Sequence, residues 1–206
     1  MDRATNRARG GFTLIELLVV MAIIAVLAGL VVASVSKLRS RALVATATTQ
    51  ISSLEGAVNN YRSSTTIFPN AGAPAPKDDP EGLFRALCTG NPRLGGDRES
   101  YIDVGEWPEE QIGVWPGSYR QGPEAQYDKP SPEQLDFSGG DYTPLVLLDP
   151  WGHPYHYVEW DSHPRNRRQL AGGQFRARGN QKFAIWSDGP NGINEWGEGD
   201  DVTSWK

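Results

Sequence analysis

Arg9-Gly10-Gly11-Phe12-Thr13-Leu14-Ile15-Glu16 opens an apolar run that continues to Val35. Of the 24 residues from Phe12 to Val35, the polar ones are Thr13, Glu16 and Ser34. As a helix, this run would be roughly 36 Å long, which is enough to span a bilayer. Because apolar side chains fill every face of that helix, it should enter lipid or another apolar core rather than lie on a membrane surface, and we expect a transmembrane segment to about residue 35.

Glu16 is the exceptional residue of this run. A carboxylate inside a membrane helix costs about 2.5–3.5 kcal/mol on insertion scales, so it needs a compensating positive charge. None of the twenty residues after Glu16 is basic. A cut between Gly11 and Phe12 would place an α-amino group one helical turn before Glu16, where the amine of a neighbouring copy could pair with it. Glu16 is therefore a candidate assembly residue.

The basic leader, Gly11-Phe12-Thr13-Leu14-Ile15-Glu16 and the apolar run resemble, in that order, the prepilin-peptidase site of type IV pilins and of type II secretion pseudopilins. The resemblance implies that a leader, residues 1–11, is removed after Gly11, that Phe12 becomes the methylated N-terminus, and that Glu16 guides the subunit into a helical filament. Two alternatives are an ordinary secretory signal and an unrelated single-pass anchor. The first usually has a shorter apolar core without a Glu, and the second leaves Gly11, Phe12 and Glu16 unexplained.

A single apolar stripe follows the membrane-length run. It recurs at three- and four-residue steps through Val44, Ala47, Ile51, Leu54, Val58 and Tyr61. Residues 36–62 contain one Gly and no Pro, so the pattern predicts one long helix over residues 12–62 whose second half is amphipathic. Residues 63–206 would then form a single extracytoplasmic globular domain, and the aromatic-rich strands later in the chain would cover the stripe.

Short elements are predicted further along the chain. Asp79 and Pro80 favour the start of a helix that continues to Leu87. Residues 89–140 are rich in Gly, Pro and acidic residues and indicate a long insertion, expected as a partly ordered flap. Strands are predicted at 144–148, around 155–160 and at 182–186, with a hairpin loop at 161–178.

The string Asp149-Pro150-Trp151-Gly152-x-Pro154-Tyr155-x-Tyr157 closely resembles the signature of major pseudopilins. It implies the type IV pilin-like fold, an α+β class in which a long N-terminal helix packs on a small antiparallel β-sheet.

The C-terminal tail carries many hard oxygen ligands on a glycine-rich backbone, from Ser187 to Asp201. Such oxygens suit calcium, although a solvated acidic turn fits the composition too. Major pseudopilins bind calcium in a Ser-x-Gly-x-Asp-Gly loop that closes with an acidic residue shortly before a Trp. The resemblance therefore implies calcium as a cofactor and points to Ser187, Asp188, Asn191, Asp200 and Asp201 as ligands. Asn191 stands where the family usually has Asp, which predicts weaker binding.

The remaining composition disfavours other functions. The net charge of −5 is unsuited to neutralising phosphates, so no nucleic-acid partner is expected. Cys88 is the only cysteine and is expected to be a small buried residue, which leaves no internal disulfide. His153 and His156 fit surface or strand-packed histidines better than a transition-metal site. No catalytic motif is present, so the chain is not expected to be an enzyme.

The resemblance to major pseudopilins implies a structural subunit of a periplasmic pseudopilus that drives type II protein secretion. It would lie in the inner membrane as a single-pass protein with its globular domain in the periplasm. The implied partners are other copies in a homo-oligomeric filament, other pseudopilins, the prepilin peptidase and the inner-membrane secretion platform. The alternatives are a type IV pilin for adhesion, motility or DNA uptake, and a membrane-anchored extracytoplasmic enzyme or binding domain.

Overall fold

The computed structural model describes residues 13–69, 78–90, 100–138, 142–160, 182–203 and 205, with side chains in these ranges except at 31–36. The chain divides into two compact units, residues 1–42 and 43–206. The predicted leader, the predicted hairpin loop at 161–178 and parts of the predicted insertion lie outside the described residues.

Helix α1 runs from Leu14 to Thr65. In the first unit its large apolar side chains are exposed, from 82% at Leu14 to 47% at Val20. Among the residues that the structure describes, we find no helix that is both long enough and apolar enough to cross a membrane. The transmembrane segment to about residue 35 stays a prediction.

In the second unit, α1 buries the predicted stripe. Its members Ala47, Ile51, Leu54, Val58 and Tyr61 are all at most 7% exposed. Val44 departs from the prediction, since it is 37% exposed and the buried stripe begins three residues later.

The end of α1 also differs from the prediction, because it lies at Thr65 rather than Arg62. Thr66 adopts a left-handed backbone with φ of 66°, and its N–H donates to the carbonyl oxygen of Arg62 at 2.8 Å. Thr66 therefore terminates the helix by adopting a left-handed conformation. The sequence did not indicate this, because such conformations usually occur at Gly or Asn.

Helix α2 spans Pro80–Cys88 and confirms the predicted short helix. The predicted N-cap is correct, because Asp79 Oδ1 accepts the N–H of Gly82 at 3.1 Å. Leu83, Phe84 and Leu87 are buried in the core that α1 lines. Cys88 is buried as predicted, and burial raises the pKa of its thiol.

Replacing Asp79 with alanine is expected to lower the free energy of unfolding by about 1 kcal/mol, the usual value of an N-cap. Urea unfolding of the full chain in detergent measures it. Asp136→Ala is the matched control, because Asp136 Oδ1 also accepts a local N–H, that of Ser138 at 3.0 Å, but on an exposed turn. The control should lower the free energy of unfolding much less than Asp79→Ala does. Equal losses in the two variants would show that the cap contributes nothing specific.

The predicted insertion contributes a strand to the fold. Strand β1 (Ile112–Val114) follows a 3₁₀ helix at Glu109–Gln111 and pairs antiparallel with β2 (Leu145–Leu147). Another 3₁₀ helix lies at Pro132–Leu135. Part of the segment that was expected to be a partly ordered flap is therefore a strand of a β-sheet.

The remaining strands form a three-stranded antiparallel sheet. Their order in the sheet is β3 (His156–Glu159), β4 (Phe183–Ser187) and β5 (Val202–Thr203). Side chains of neighbouring strand residues point to opposite faces. One face, with Tyr157 and Ile185, joins the core of α1 and α2. The other face is covered by aromatic residues of the C-terminal tail and consists of Val158, Trp160, Ala184 and Trp186, packed against Trp196 and Trp205. The tail is therefore an integral layer of the domain.

Candidate functional site: an acidic loop after strand β4

The predicted processing residues Gly11 and Phe12 lie outside the described residues. Glu16 lies in the first turn of α1, where its Oε2 accepts the backbone N–H and the hydroxyl of Thr13, each at 2.8 Å. The N–H of Glu16 donates in return to Thr13 Oγ1 at 3.3 Å. Within a single chain the carboxylate thus closes a reciprocal capping arrangement at the start of α1.

The acidic tail loop connects β4 to β5. It begins with a 3₁₀ turn at Gly189–Asn191 and returns through Asp200. Gly189 has φ of 66°, and a Cβ there would lie 2.3 Å from the carbonyl oxygen of Asp200. Since any side chain would collide with that backbone, Gly189 lets the two ends of the loop meet.

The closed loop gathers three carboxylates. One oxygen from each of Glu195, Asp200 and Asp201 lies within 4.8 Å of the others. Asn191 joins them, because its side-chain amide donates to Asp200 Oδ1 and, at 3.5 Å, to Glu195 Oε2. The structure therefore brings three of the predicted ligands, Asn191, Asp200 and Asp201, together with Glu195, which the sequence motif did not include.

Backbone amides hold this cluster in shape. The N–H groups of Glu195 and Gly197 donate to Asp201 Oδ2 at 3.1 and 2.7 Å, and the N–H of Asp200 donates to Glu195 Oε2 at 3.1 Å. Burial raises the pKa of Asp201 to about 6, although these amides and the nearby His156 oppose that shift. The site therefore disfavours the full ionisation of its carboxylates in the absence of a cation.

Asp188 stands beside the cluster in the interior. Its Oδ1 bonds His156 Nε2 at 2.7 Å, while its Oδ2 is buried without a hydrogen-bond partner among the described residues. Burial, followed by the charges of Asp201, Asp78 and Asp200, raises the pKa of Asp188 to about 8. A buried carboxylate oxygen with no donor, next to other carboxylates, fits a cation as its missing partner.

Ser187 faces a different carboxylate. Its hydroxyl donates to Asp149 Oδ2 at 2.5 Å and accepts the N–H of Gly189 at 3.0 Å. Asp149 also accepts the N–H groups of Trp151 and His153, each at 2.9 Å, and burial raises its pKa. Asp149 thus fixes the Asp-Pro-Trp-Gly turn to the start of the tail loop. The turn signal was visible in the sequence, but its contact with Ser187 was not.

The two histidines are buried, which corrects the surface alternative for both. His156 lies in β3 and bonds Asp78 through Nδ1 as well as Asp188 through Nε2, while its ring stacks on Trp186 at 4.9 Å. His153 Nε2 lies 3.2 Å from the carbonyl oxygen of Gly122. Asp78 and His156 therefore link the segment before α2 to the tail loop, a connection with no signal in sequence spacing.

Comparisons with known proteins agree with the N-terminal pattern and extend it along the chain. The family described as "Prokaryotic N-terminal methylation motif" matches residues 6–32. The chain is 25% identical over 202 residues to a protein of Aeromonas hydrophila named type II secretion system core protein G. That match covers 97% of this chain and 94% of the relative. The resemblance to major pseudopilins is confirmed.

A second relative of the same name, from Pseudomonas aeruginosa, is 25% identical over 155 residues, covering 74% of this chain and 75% of its own. No solved structure gives a significant match. The helix and antiparallel sheets of this pseudopilin-like chain are consistent with the predicted α+β, pilin-like class.

Proposed function

We propose that this chain is a structural subunit of a pseudopilus, the filament of type II secretion. The observation that carries the proposal is the combination of a prepilin-type N-terminus with similarity along 97% of the chain to a type II secretion core protein. In this function the chain acts by assembly and not by catalysis.

Processing comes first in the proposed sequence. The prepilin peptidase cuts between Gly11 and Phe12, and the new N-terminus is methylated, as the motif at residues 6–32 supports. Before assembly, the subunit is held in the inner membrane as a single-pass protein with its globular domain in the periplasm. The exposed apolar side chains from Leu14 to Leu30 support this step, because such a surface needs lipid or other helices to cover it.

Assembly then brings copies of α1 together, with other pseudopilins and the inner-membrane secretion platform as partners. Glu16 of one copy pairs with the α-amino group of Phe12 on its neighbour in a water-poor setting. An ion pair of this kind selects the register between helices, because a shifted subunit leaves a buried charge without a partner.

Calcium is the proposed cofactor of the tail loop. The ion would be held by the side chains of Asn191, Glu195, Asp200 and Asp201. The buried Oδ2 atom of Asp188 would be a further ligand. The side chain of Ser187 is engaged with Asp149, so its hydroxyl does not face the carboxylate cluster in this arrangement. Bound calcium supplies the positive charge that the crowded carboxylates lack, and it fixes the loop as a layer of the fold in a chain with one cysteine.

Deleting this chain from its host tests the proposed function. We expect extracellular delivery of folded proteins to fall to background while surface pili and motility remain. Re-expression should restore secretion, whereas Gly11→Val should not, because the bulkier residue blocks the peptidase and leaves the leader in place. Enzyme assays on culture medium and the mass of the mature N-terminus measure both effects.

The alternative within the pilin class makes the opposite prediction. A type IV pilin would lose adhesion, motility or DNA uptake on deletion and keep secretion intact. An anchored enzyme or binding domain would function with or without leader removal. Either result would contradict the pseudopilus proposal.

A further inference from the structure

Residues 114–128, which we call the arm, form a closed loop on the surface of the globular unit. The loop closes where the N–H of Val114 donates to the carbonyl oxygen of Asp128 at 2.8 Å. Near that closure, the rings of Trp115 and Tyr127 stack with their planes 3° apart. An irregular loop of this length with adjacent ends is an Ω-loop, a type that frequently has a function.

The arm is braced internally as well as closed at its base. The backbone N–H of Arg120 donates to Tyr127 Oη at 3.1 Å, and its guanidinium donates to the carbonyl oxygen of Gln126 at 2.7 Å. The arm therefore has a defined conformation of its own, which fixes the position of its tip.

The tip of the arm contacts the tail loop and the residues beneath it. The N–H of Gly122 donates to the carbonyl oxygen of Gly192 at 2.7 Å. The carbonyl oxygen of Gly122 lies 3.2 Å from His153 Nε2, and the ring of Tyr119 meets the ring of His156 edge-on at 4.9 Å. Two of these contacts fall next to proposed calcium ligands, because Gly192 follows Asn191 in the chain and His156 bonds Asp188.

Gly192 is the point of closest approach. Its φ is 65°, and a Cβ at this position would lie 2.5 Å from His153 Nε2 and 2.8 Å from the backbone of Gly122. Gly192 directly follows Asn191, whose side-chain amide reaches Asp200 and Glu195. The arm therefore holds the backbone of Gly192 in place, and Gly192 is the residue next to Asn191.

We propose that the arm is a positioning element for calcium, so that docking of its tip and binding of calcium favour each other. This inference rests on the proposed calcium site. A loop already held in its binding conformation loses less conformational entropy when the ion binds, which tightens binding. By linkage, calcium must strengthen docking of the arm by the same factor. The insertion thereby offsets the neutral Asn191, which supplies one negative charge fewer than an Asp.

Limited trypsin digestion of the full chain in detergent measures docking, because the exposed Arg120 lies in the arm. We expect calcium chloride to slow cleavage of the Arg120–Gln121 bond by about tenfold, within the usual range of coupling between sites. Gly192→Ala should weaken calcium binding about tenfold and remove this protection. Calorimetric titration gives the affinity, and mass spectrometry identifies the cleavage at Arg120.

Gly117→Ala is the matched control. Gly117 has φ of 83°, and a Cβ there would meet no heavy atom within 4 Å, so the variant adds backbone strain without a collision. It should leave calcium affinity within about twofold of the unaltered chain. Tyr119→Ala is a second variant that adds no strain, and it should weaken both calcium binding and protection of Arg120.

The outcomes separate this inference from the calcium site itself. If the unaltered chain binds no calcium, both are wrong. If it binds calcium and Gly192→Ala behaves like Gly117→Ala, only the inference is overturned. The inference would also be overturned if Tyr119→Ala kept normal calcium affinity and normal protection of Arg120 from trypsin. This second test holds even if Gly192→Ala fails to fold.

Discussion

Glu16→Ala is expected to abolish filament assembly and secretion while leaving the chain in the membrane. In the proposed filament, this change leaves the α-amino group of a neighbouring Phe12 buried without a counter-charge. Breaking a buried ion pair in this way costs about 3–5 kcal/mol, which is more than a hundredfold in an association constant. Because the contact recurs at every subunit, the effect on a filament should be a complete loss. Secreted activity in the medium and cross-linked filaments in the membrane fraction measure it.

The contact that Glu16 makes within one chain is too weak to explain such a loss. Its capping bonds with Thr13 are exposed to solvent and act only on the first turn of α1. Glu16→Gln keeps an oxygen for Thr13 but removes the charge, so it should fail to assemble almost as completely as Glu16→Ala. Glu109→Ala, which removes an exposed carboxylate from the globular unit, is the control and should secrete normally. Normal assembly of Glu16→Ala would refute the ion-pair mechanism.

The helices could be predicted because their signals are local. The stripe from Ala47 to Tyr61 repeats at helical spacing, and Asp79 with Pro80 marks the start of α2. Both signals operate within a few residues of the element that they define. The position of Val44 outside the core could not be predicted, because periodicity does not say where the packed surface ends.

Strands β1 and β5 could not be predicted in the same way. They have three and two residues and, unlike the equally short β2 at the predicted 144–148, they do not lie in a continuous apolar run. Each is fixed by a partner far along the chain, Ile112 by Leu147 and Val202 by Ser187. Pairing at this distance depends on the whole fold, which a reading of neighbouring residues does not contain.

In the acidic loop, too, local signals could be predicted from the sequence and long-range contacts could not. Its motif placed Asn191, Asp200 and Asp201 together because one short segment carries all three. Glu195 was missed, since its role depends on how the glycines fold that segment back. The pair of Asp78 and His156 was invisible for a stronger reason, because 78 positions separate the two residues in the chain.

Calcium is expected to raise the melting temperature of the full chain by about 5–10 °C. An ion present at a hundred times its dissociation constant stabilises a folded state by about 2.7 kcal/mol. In a protein of this size, each kcal/mol shifts the melting temperature by about 2–4 °C. Asp201→Asn should remove most of the shift, because it takes a carboxylate from the centre of the cluster. Thermal unfolding in detergent with calcium chloride or a chelator measures the effect, and Asp136→Asn, on an exposed turn, is the control.

The shift should also depend on pH. Burial raises the pKa of Asp201 from its ordinary 3.8 to about 6, so the metal-free folded state holds a proton that the unfolded chain has released. That contribution to stability is complete below about pH 4 and is lost as the pH rises through about 6. Calcium displaces the proton and binds the ionised form, so its stabilising effect should grow between pH 5 and pH 7.5. A calcium effect that is constant over this range, or one that Asp201→Asn retains, would place the ion away from Asp201.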